Sequence, residues 1–386
     1  MSDAVADVLI VGAGLAGAGA AFVLARAGLK VILVDQFATQ APVFKAEKIE
    51  PDQATVMRTL GLMDAVLPVC TRIHRVACGQ EGRIWNCLSI EEYGVFYHDL
   101  VNALRQRLPD SVRFVAARVE KLTTSSALQS VSLSDGTLLQ ARLLVLAAGA
   151  VGKMPEQLGM VRDTRSAAHS LSLGFNLEPL RLFPGRSESL TYRENRIGPG
   201  IDYLTLFPIG PVLRANMFCY WEIKDSKFQE LKSRGMSALQ DWLPGLAAIT
   251  GPLRISSRVE AMPIHLYRFE NVAQPGVVLL GDLFQSVCPA TGTGLTKVLA
   301  DIQALLEVVP NWLQTPDLGS EKIAQYYRNP HKRATDDNSL ADAFYRKRLC
   351  SDPGLSWTAR RWKKYFPRRI AALHYRPPSD LKPAAA

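Results

Sequence analysis

The chain has 386 residues, 48% of them hydrophobic, and a net charge of +9; this excludes a disordered polar tract and leaves enough apolar content for two lobes. No apolar run approaches the roughly 20 residues needed to cross a bilayer, and Met1-Ser2-Asp3-Ala4 has no basic stretch ahead of an apolar segment, so a cytoplasmic protein is expected. Residues 321–386 carry 15 Lys/Arg against 6 Asp/Glu, whereas residues 1–320 carry 30 of each; the excess is one local basic face, which argues against nucleic acid as a partner.

Residues 7–11 (DVLIV) form a short β-branched-rich run that predicts a strand, followed by Gly12-Ala13-Gly14-Leu15-Ala16-Gly17 and a helical stretch to Ala27, stopped by Gly28. A second apolar run, residues 30–34, ends on Asp35 and Gln36. The order strand, glycine turn, helix, strand, acid is the signature of a dinucleotide site. Gly12 permits the tight turn, Gly14 lets backbone N–H groups approach a pyrophosphate, and Gly17 lets the helix pack on the strand. The helix start then offers unpaired N–H donors and partial positive charge to the phosphates. Asp35, 23 positions after Gly12, suits ribose hydroxyls and repels a 2′-phosphate.

Farther along, residues 131–133, an Asp135-Gly136 turn and residues 138–141 predict a hairpin before a buried strand over 143–147. Short runs alternating apolar and polar residues between 155 and 275, among them 170–176, 203–207 and 212–221, predict an antiparallel sheet with one covered face. Residues 276–280 (GVVLL) predict another buried strand, running into Gly281-Asp282, Pro289 and Gly292-Thr293-Gly294. Leu295, Val298, Leu299, Ile302, Leu305 and Leu306 follow at helical spacing. The six cysteines form no CxxC pair, so neither a disulfide framework nor a metal site is expected.

The pattern Gly-Asp, then Pro, then Gly-x-Gly resembles the second motif of the group A FAD-dependent monooxygenases, the p-hydroxybenzoate hydroxylase-like family, and Asp282, Pro289, Gly292, Gly294 and Asp301 match it. The order of segments agrees over nearly the whole chain. The resemblance implies a mixed α/β (α+β) fold: a Rossmann-like FAD-binding domain (1–70, 96–154 and 275–320) interleaved with an antiparallel-sheet substrate domain (71–95 and 155–274), plus a basic C-terminal helical segment (321–386). It implies that Asp282 contacts the flavin ribityl chain, that the 289–294 loop borders the isoalloxazine, and that Lys45 and Lys48 lie near the flavin or its entrance, although a solvated charged loop explains them equally. It further implies NAD(P)H and O2 as co-substrates and a small hydrophobic, aromatic or polyketide-like substrate, hydroxylated through a C4a-hydroperoxyflavin.

The chain departs from that family at three points. Ala148-Gly149 stands where the family has Asp-Gly, His98 replaces an arginine on the helix before the meander, and Gln285 replaces a histidine after Gly-Asp. These leave two alternatives open: a reductase or saturase of the geranylgeranyl reductase type, and a non-catalytic flavin-binding accessory protein. A halogenase is disfavoured because none of the six tryptophans forms a Trp-x-Trp pair. His74, Trp85, His169, Tyr203, Phe207, Arg214, Tyr220 and His265 are pocket candidates, but core packing explains each of them better, and no catalytic side chain is singled out. The stretch from Trp357 mixes aromatic and cationic residues. It suits an anionic membrane surface, yet the preferred expectation is that Trp357, Trp362 and Phe366 pack a helix onto the flavin domain.

Overall fold

The computed structural model describes residues 5–150, 152–178, 188–195 and 197–375. Five parallel strands make the centre of a seven-stranded sheet, in the order Val112–Ala116, Val31–Asp35, Ala6–Val11, Leu138–Leu146 and Val277–Leu279. Their near-continuous apolar sequences follow from cover on both faces. Val8 and Ile10 pack under the helices Leu15–Arg26 and Gly294–Trp312, while Leu9 and Val11 face Val131, Leu133 and Phe269. The predicted hairpin and the buried strand after it share one strand. Leu138–Leu146 pairs antiparallel with Gln129–Leu133 through its first half and parallel with Val277–Leu279 through its second.

A nine-stranded sheet forms the second lobe around Val161–Glu178, an 18-residue strand paired with both Val212–Cys219 and Glu260–Glu270. Thr71–Gln80 and Arg83–Gly94 belong to this sheet. It is mixed rather than purely antiparallel, because Glu188–Arg193 runs parallel to Thr71–Gln80. Alternation decides its two faces. Leu171, Leu173, Leu204, Leu206 and Met217 pack against three helices, Ser226–Arg234, Met236–Trp242 and Leu246–Thr250. These helices interrupt what the sequence presented as a run of strands; Phe228, Leu231, Leu239, Trp242, Leu246 and Ile249 supply their buried stripe. The opposite face, with Ser172, Thr205 and Asn216, looks onto a cavity against the first lobe.

The chain ends in the helices Ser320–Arg328, Pro330–Ser351 and Leu355–His374. The last of these packs against Arg83–Gly94 of the second sheet, not against the first lobe. Its buried side chains are Arg361, Tyr365 and Ala372. Trp357 packs on Tyr345 of the preceding helix at 5.5 Å, whereas Trp362 stacks on Phe366 and stays 60% exposed, so the expectation that Trp357, Trp362 and Phe366 together pack the helix onto the first lobe is corrected. The helix is held instead by its polar face, through Tyr365 and by Arg368 over Trp85. Among the described residues no helix is long and apolar enough to cross a membrane.

Candidate active site

The first half of the site is a turn that only glycine can make. Gly12 sits at φ +101°, and a Cβ there would lie 2.6 Å from the Ala147 carbonyl oxygen; at Gly17 a Cβ would lie 1.8 Å from the Gly12 oxygen. The helix Leu15–Arg26 therefore starts tight against the strand, with Gly14 as an N-cap that offers no side chain and no acid in its first turn. Leu15 donates its N–H to the Tyr97 hydroxyl at 3.2 Å, and the rest of the helix start borders the cavity with no acid in its own first turn.

Asp35 braces this turn. Its carboxylate accepts the Ala13 N–H at 2.7 Å and the Phe37 N–H at 3.0 Å. Arg105 completes the brace: its Nε donates to the Ala13 carbonyl at 2.7 Å, and its terminal nitrogens reach Asp35 at 3.3 Å and the Phe37 and Ala38 carbonyls. Sequence reading missed Arg105 and pointed to His98, which lies on the same helix, Tyr97–Gln106. His98 stacks on Phe96 at 5.6 Å and does not line the cavity. The available signal was the spacing: an arginine two turns farther along that helix falls over the glycine turn.

The second half hangs on a buried charge cluster. Gly281, at φ +66°, donates its N–H to Asp301 at 2.8 Å, and Lys297 donates to the Gly281 carbonyl at 3.2 Å and to Asp301 at 3.0 Å. Lys332, from the C-terminal helix Pro330–Ser351, reaches Asp301 at 2.7 Å and Asp336 at 2.9 Å. The Asp282 carbonyl accepts the Tyr267 hydroxyl at 2.5 Å, leaving the Asp282 carboxylate to line the cavity. Gln285 is fully buried and ties Arg268 to the Asp336 carbonyl; at this position the side chain pins the C-terminal helix and does not face the cavity.

The loop that follows is shaped by Gly292 in the left-handed region, at φ +74°. Gln53 donates to the Gly292 carbonyl at 3.0 Å and to Thr296 at 3.1 Å, and the Tyr203 hydroxyl donates to the Ala290 carbonyl at 3.0 Å. Thr293 caps the 19-residue helix Gly294–Trp312 by backbone position only; its hydroxyl is engaged with Thr291, and no acid lies in the first turn. A second open helix N-terminus thus faces the same cavity.

That cavity has a volume of ≈ 1420 Å³, above the range of about 300–1,000 Å³ usual for small-molecule pockets. Gly12, Gly14, Leu15, Ala16 and Asp35 line one part of it; Asp282, Pro289, Gly292 and Gly294 line another. Lys45, Ala148 and Gly149 lie along its wall. Ala13, Gly17 and Gly281 stand behind it as buried supports, and Gln36 is exposed outside it. The Lys45 ammonium sits 5.2 Å over the Tyr97 ring, whose hydroxyl accepts the Leu15 N–H at 3.2 Å. Beside Ala148-Gly149 the sequence shows no charge, yet the fold brings one. Arg162 bonds the Ala150 and Gly152 carbonyls at 3.2 and 3.1 Å, stacks 4.3 Å over Tyr267 and lines the cavity.

Trp85, Tyr203, Phe207 and His265 also line the cavity, whereas His74, His169, Arg214 and Tyr220 do not. His169 is wedged edge-on between Tyr220 and Phe344, and burial pushes its pKa down to about 4, so it is neutral at pH 7. Arg214 grips Glu47 through two hydrogen bonds of 2.8 and 3.0 Å and reaches Glu260 at 2.5 Å. Glu47 does line the cavity, and burial pushes its carboxyl up to about 7 against the pull of Arg214. It is a titratable group facing the cavity that sequence reading did not single out.

A family model described as FAD binding domain matches residues 5–334. Squalene monooxygenase SE2 of Panax ginseng is 23% identical over 384 residues, covering 90% of this chain and 66% of that protein. The 3-demethoxyubiquinol 3-hydroxylase of Escherichia coli (strain K12) is 23% identical over 337 residues, or 81% of each. The chain spans about two thirds of the length of the squalene relatives it matches. Among solved structures, p-nitrophenol 4-monooxygenase PnpA of Pseudomonas putida DLL-E4 shares the fold with a TM-score of 0.74 at 17% identity, over 99% of both chains. The halogenase PltM, in complex with phloroglucinol and FAD, gives 0.69 at 17% identity, over 90% of this chain and 77% of that one. Two glycine-built, acid-free helix starts around one large cavity, together with the match over residues 5–334, place the chain in the FAD binding domain family, a family of group A flavoprotein monooxygenases, with FAD as its cofactor.

Proposed function

We propose that the protein is an NAD(P)H-dependent monooxygenase that hydroxylates an aromatic or polyketide-like small molecule. The observation that carries this reading is a cavity larger than a flavin's phosphate cradle requires, walled by the polar and aromatic face of the second sheet. Residues 1–70, 96–154 and 275–320 hold the cofactor in this reading, and 71–95 with 155–274 cover the substrate. In this reading the backbone donors at Gly14 and Ala16 take the pyrophosphate, Asp35 takes a ribose, and Asp282 takes the ribityl chain. The start of the helix at Gly294 offers partial positive charge to a ring that becomes anionic on reduction. Bound there, FAD supplies electron transfer from the nicotinamide and oxygen transfer from O2. The chain's own side chains orient the substrate and exclude water; Glu47, held between Arg214 and Asn216, is a group able to exchange a proton at the cavity wall.

The test is turnover under 18O2 with a panel of phenols and aromatic acids. Pyridine nucleotide oxidation and oxygen uptake are expected to rise together on substrate addition, with one labelled oxygen atom in the product. Nucleotide oxidation that yields a reduced product free of label, including under anaerobic conditions, overturns the reading in favour of a reductase.

The exposed side of the helix Leu355–His374 supports a peripheral contact with an anionic membrane surface. The helix holds six Lys/Arg and no Asp/Glu, and Leu355, Trp362, Phe366, Ile370 and Leu373 form one exposed apolar stripe. Wild type is expected to co-sediment with phosphatidylserine-containing vesicles, and the triple variant Trp362→Ser, Ile370→Ser, Leu373→Ser is expected to stay in the supernatant. Equal sedimentation of the two proteins ends this idea.

A further inference from the structure

The C-terminal segment that carries the chain's excess positive charge does not keep all of it at the surface. Two of its arginines, Arg346 from Pro330–Ser351 and Arg368 from Leu355–His374, line the cavity, where Arg193 from the second sheet joins them. Alternation along Glu188–Arg193 explains the third: Leu190 and Tyr192 are buried in the sheet's core, so Thr191 and Arg193 face the cavity.

Among the described residues, the carboxylate bonded to this cluster is Asp202. Asp202 accepts Arg346 at 3.0 and 2.9 Å and Arg193 at 3.5 Å. Arg193 also donates to the Tyr365 hydroxyl at 2.7 Å. The two other acids on this part of the wall, Glu50 and Glu92, lie 3.9 and 3.1 Å from Lys48, which also borders the cavity. Among the described residues no carboxylate pairs with Arg368; its guanidinium lies 4.8 Å from the Trp85 ring centroid and 5.4 Å from that of Tyr365. Lys364, one turn earlier, is partly buried beside the same groups, and burial with Arg193 and Arg346 pulls its pKa down. Four cations therefore share one directly bonded carboxylate in a partly desolvated place, with Asp342 and Glu50 acting on Arg346 from farther off, an arrangement that favours an added anion.

We propose that Arg193, Arg346 and Arg368 form an anion subsite that binds the carboxylate of an aromatic acid substrate, with the substrate ring extending along Trp85 and Tyr203 toward the flavin. The planar forks of arginine suit a carboxylate, and the neighbouring aromatic faces suit a ring. Arg368 is the specificity-determining residue, because its donors are uncommitted, whereas Arg346 and Arg193 already hold Asp202. The inference rests on the cavity being the flavin and substrate site of the proposed function.

The experiment compares 6-hydroxy-2-naphthoate with 6-hydroxy-2-naphthamide on FAD-loaded protein, titrated by the change in flavin absorbance and by calorimetry. FAD content is measured first, so that loss of flavin, which counts against the proposed function, is separated from loss of acid recognition. The wild type is expected to bind the acid at least roughly tenfold more tightly than the amide, the scale of one charge-assisted hydrogen bond. Arg368→Gln is expected to bring the acid to the level of the amide, with a much smaller loss for the amide and unchanged FAD content, and Arg368→Lys to retain part of the preference. Equal binding of acid and amide by the wild type, or a preference that survives in Arg368→Gln, overturns the subsite.

Discussion

Asp301→Asn is expected to destabilise the folded protein by about 3–5 kcal/mol, the range for removing one partner of a buried ion pair, and to release FAD from the remaining folded molecules. Asp301 is wholly buried between Lys297 and Lys332 and accepts the Gly281 N–H. An asparagine leaves two buried ammonium groups with Asp336 alone and loosens the turn that presents Asp282. Urea unfolding with and without FAD reads both effects. As a control, Glu321→Gln at the exposed pair with Arg328 is expected to shift stability by less than about 1 kcal/mol. A similar small loss for Asp301→Asn sinks the argument.

The same cluster sets a pH window. Burial alone raises the Asp301 carboxyl, but Lys297 and Lys332 outweigh it and hold the group below its ordinary 3.8. Burial lowers Lys297, but Asp301 and Asp336 outweigh that and hold it above its ordinary 10.5. The folded carboxylate binds its proton more weakly than the unfolded one, so its stabilisation is full above pH 3.8 and is lost as pH falls through the lower folded value. The folded ammonium holds its proton more tightly, so its contribution is full below pH 10.5 and is lost as pH rises through the higher folded value. Asp301→Asn is expected to flatten the acid side of the stability profile.

Gly17→Val is expected to give protein that binds FAD roughly a hundredfold more weakly or fails to fold. A Cβ at this position meets the Gly12 carbonyl oxygen at 1.8 Å, a backbone atom that cannot swing aside, so the helix must move off the strand and take its N–H donors with it. Overpacking of this kind costs about 1–3 kcal/mol or more. Gly28→Ala separates this clash from a general glycine effect. Gly28 has φ +88° but open space around its Cβ position, so that variant is expected to lose about 1 kcal/mol through backbone strain while keeping full flavin content. Flavin absorbance of the purified proteins decides it; equal FAD content in Gly17→Val and wild type contradicts the close-approach argument.

Much of the glycine-turn architecture was legible because it is local. Strand, glycine turn and helix are set within residues 6–26 by side-chain size, by φ and by apolar periodicity, and Gly12, Gly14 and Gly17 take the conformations and contacts that this pattern demands. The Gly281–Gly294 stretch is local in the same sense. Arg105 was not legible, because its partners Ala13, Phe37, Ala38 and Asp35 lie 67 to 92 positions away, and no periodicity encodes a contact across that distance. The helices over 226–250 were passed over because short apolar runs satisfy strand and helix patterns alike.

The basic C-terminus shows the division most clearly. Its composition already told that positive charge is concentrated after residue 320. Which cations meet water and which meet the cavity was decided only by how the last two helices lie on the second sheet, with Arg346 and Arg368 turned inward and Trp362 left outside. By itself the sequence determined the two glycine turns and the charge balance, since both follow from residue type and near-neighbour spacing. The tertiary structure alone decided the partners of Arg105, Asp301 and Arg368, since burial and pairing depend on segments that meet only when the two lobes and the C-terminal helices close around the cavity.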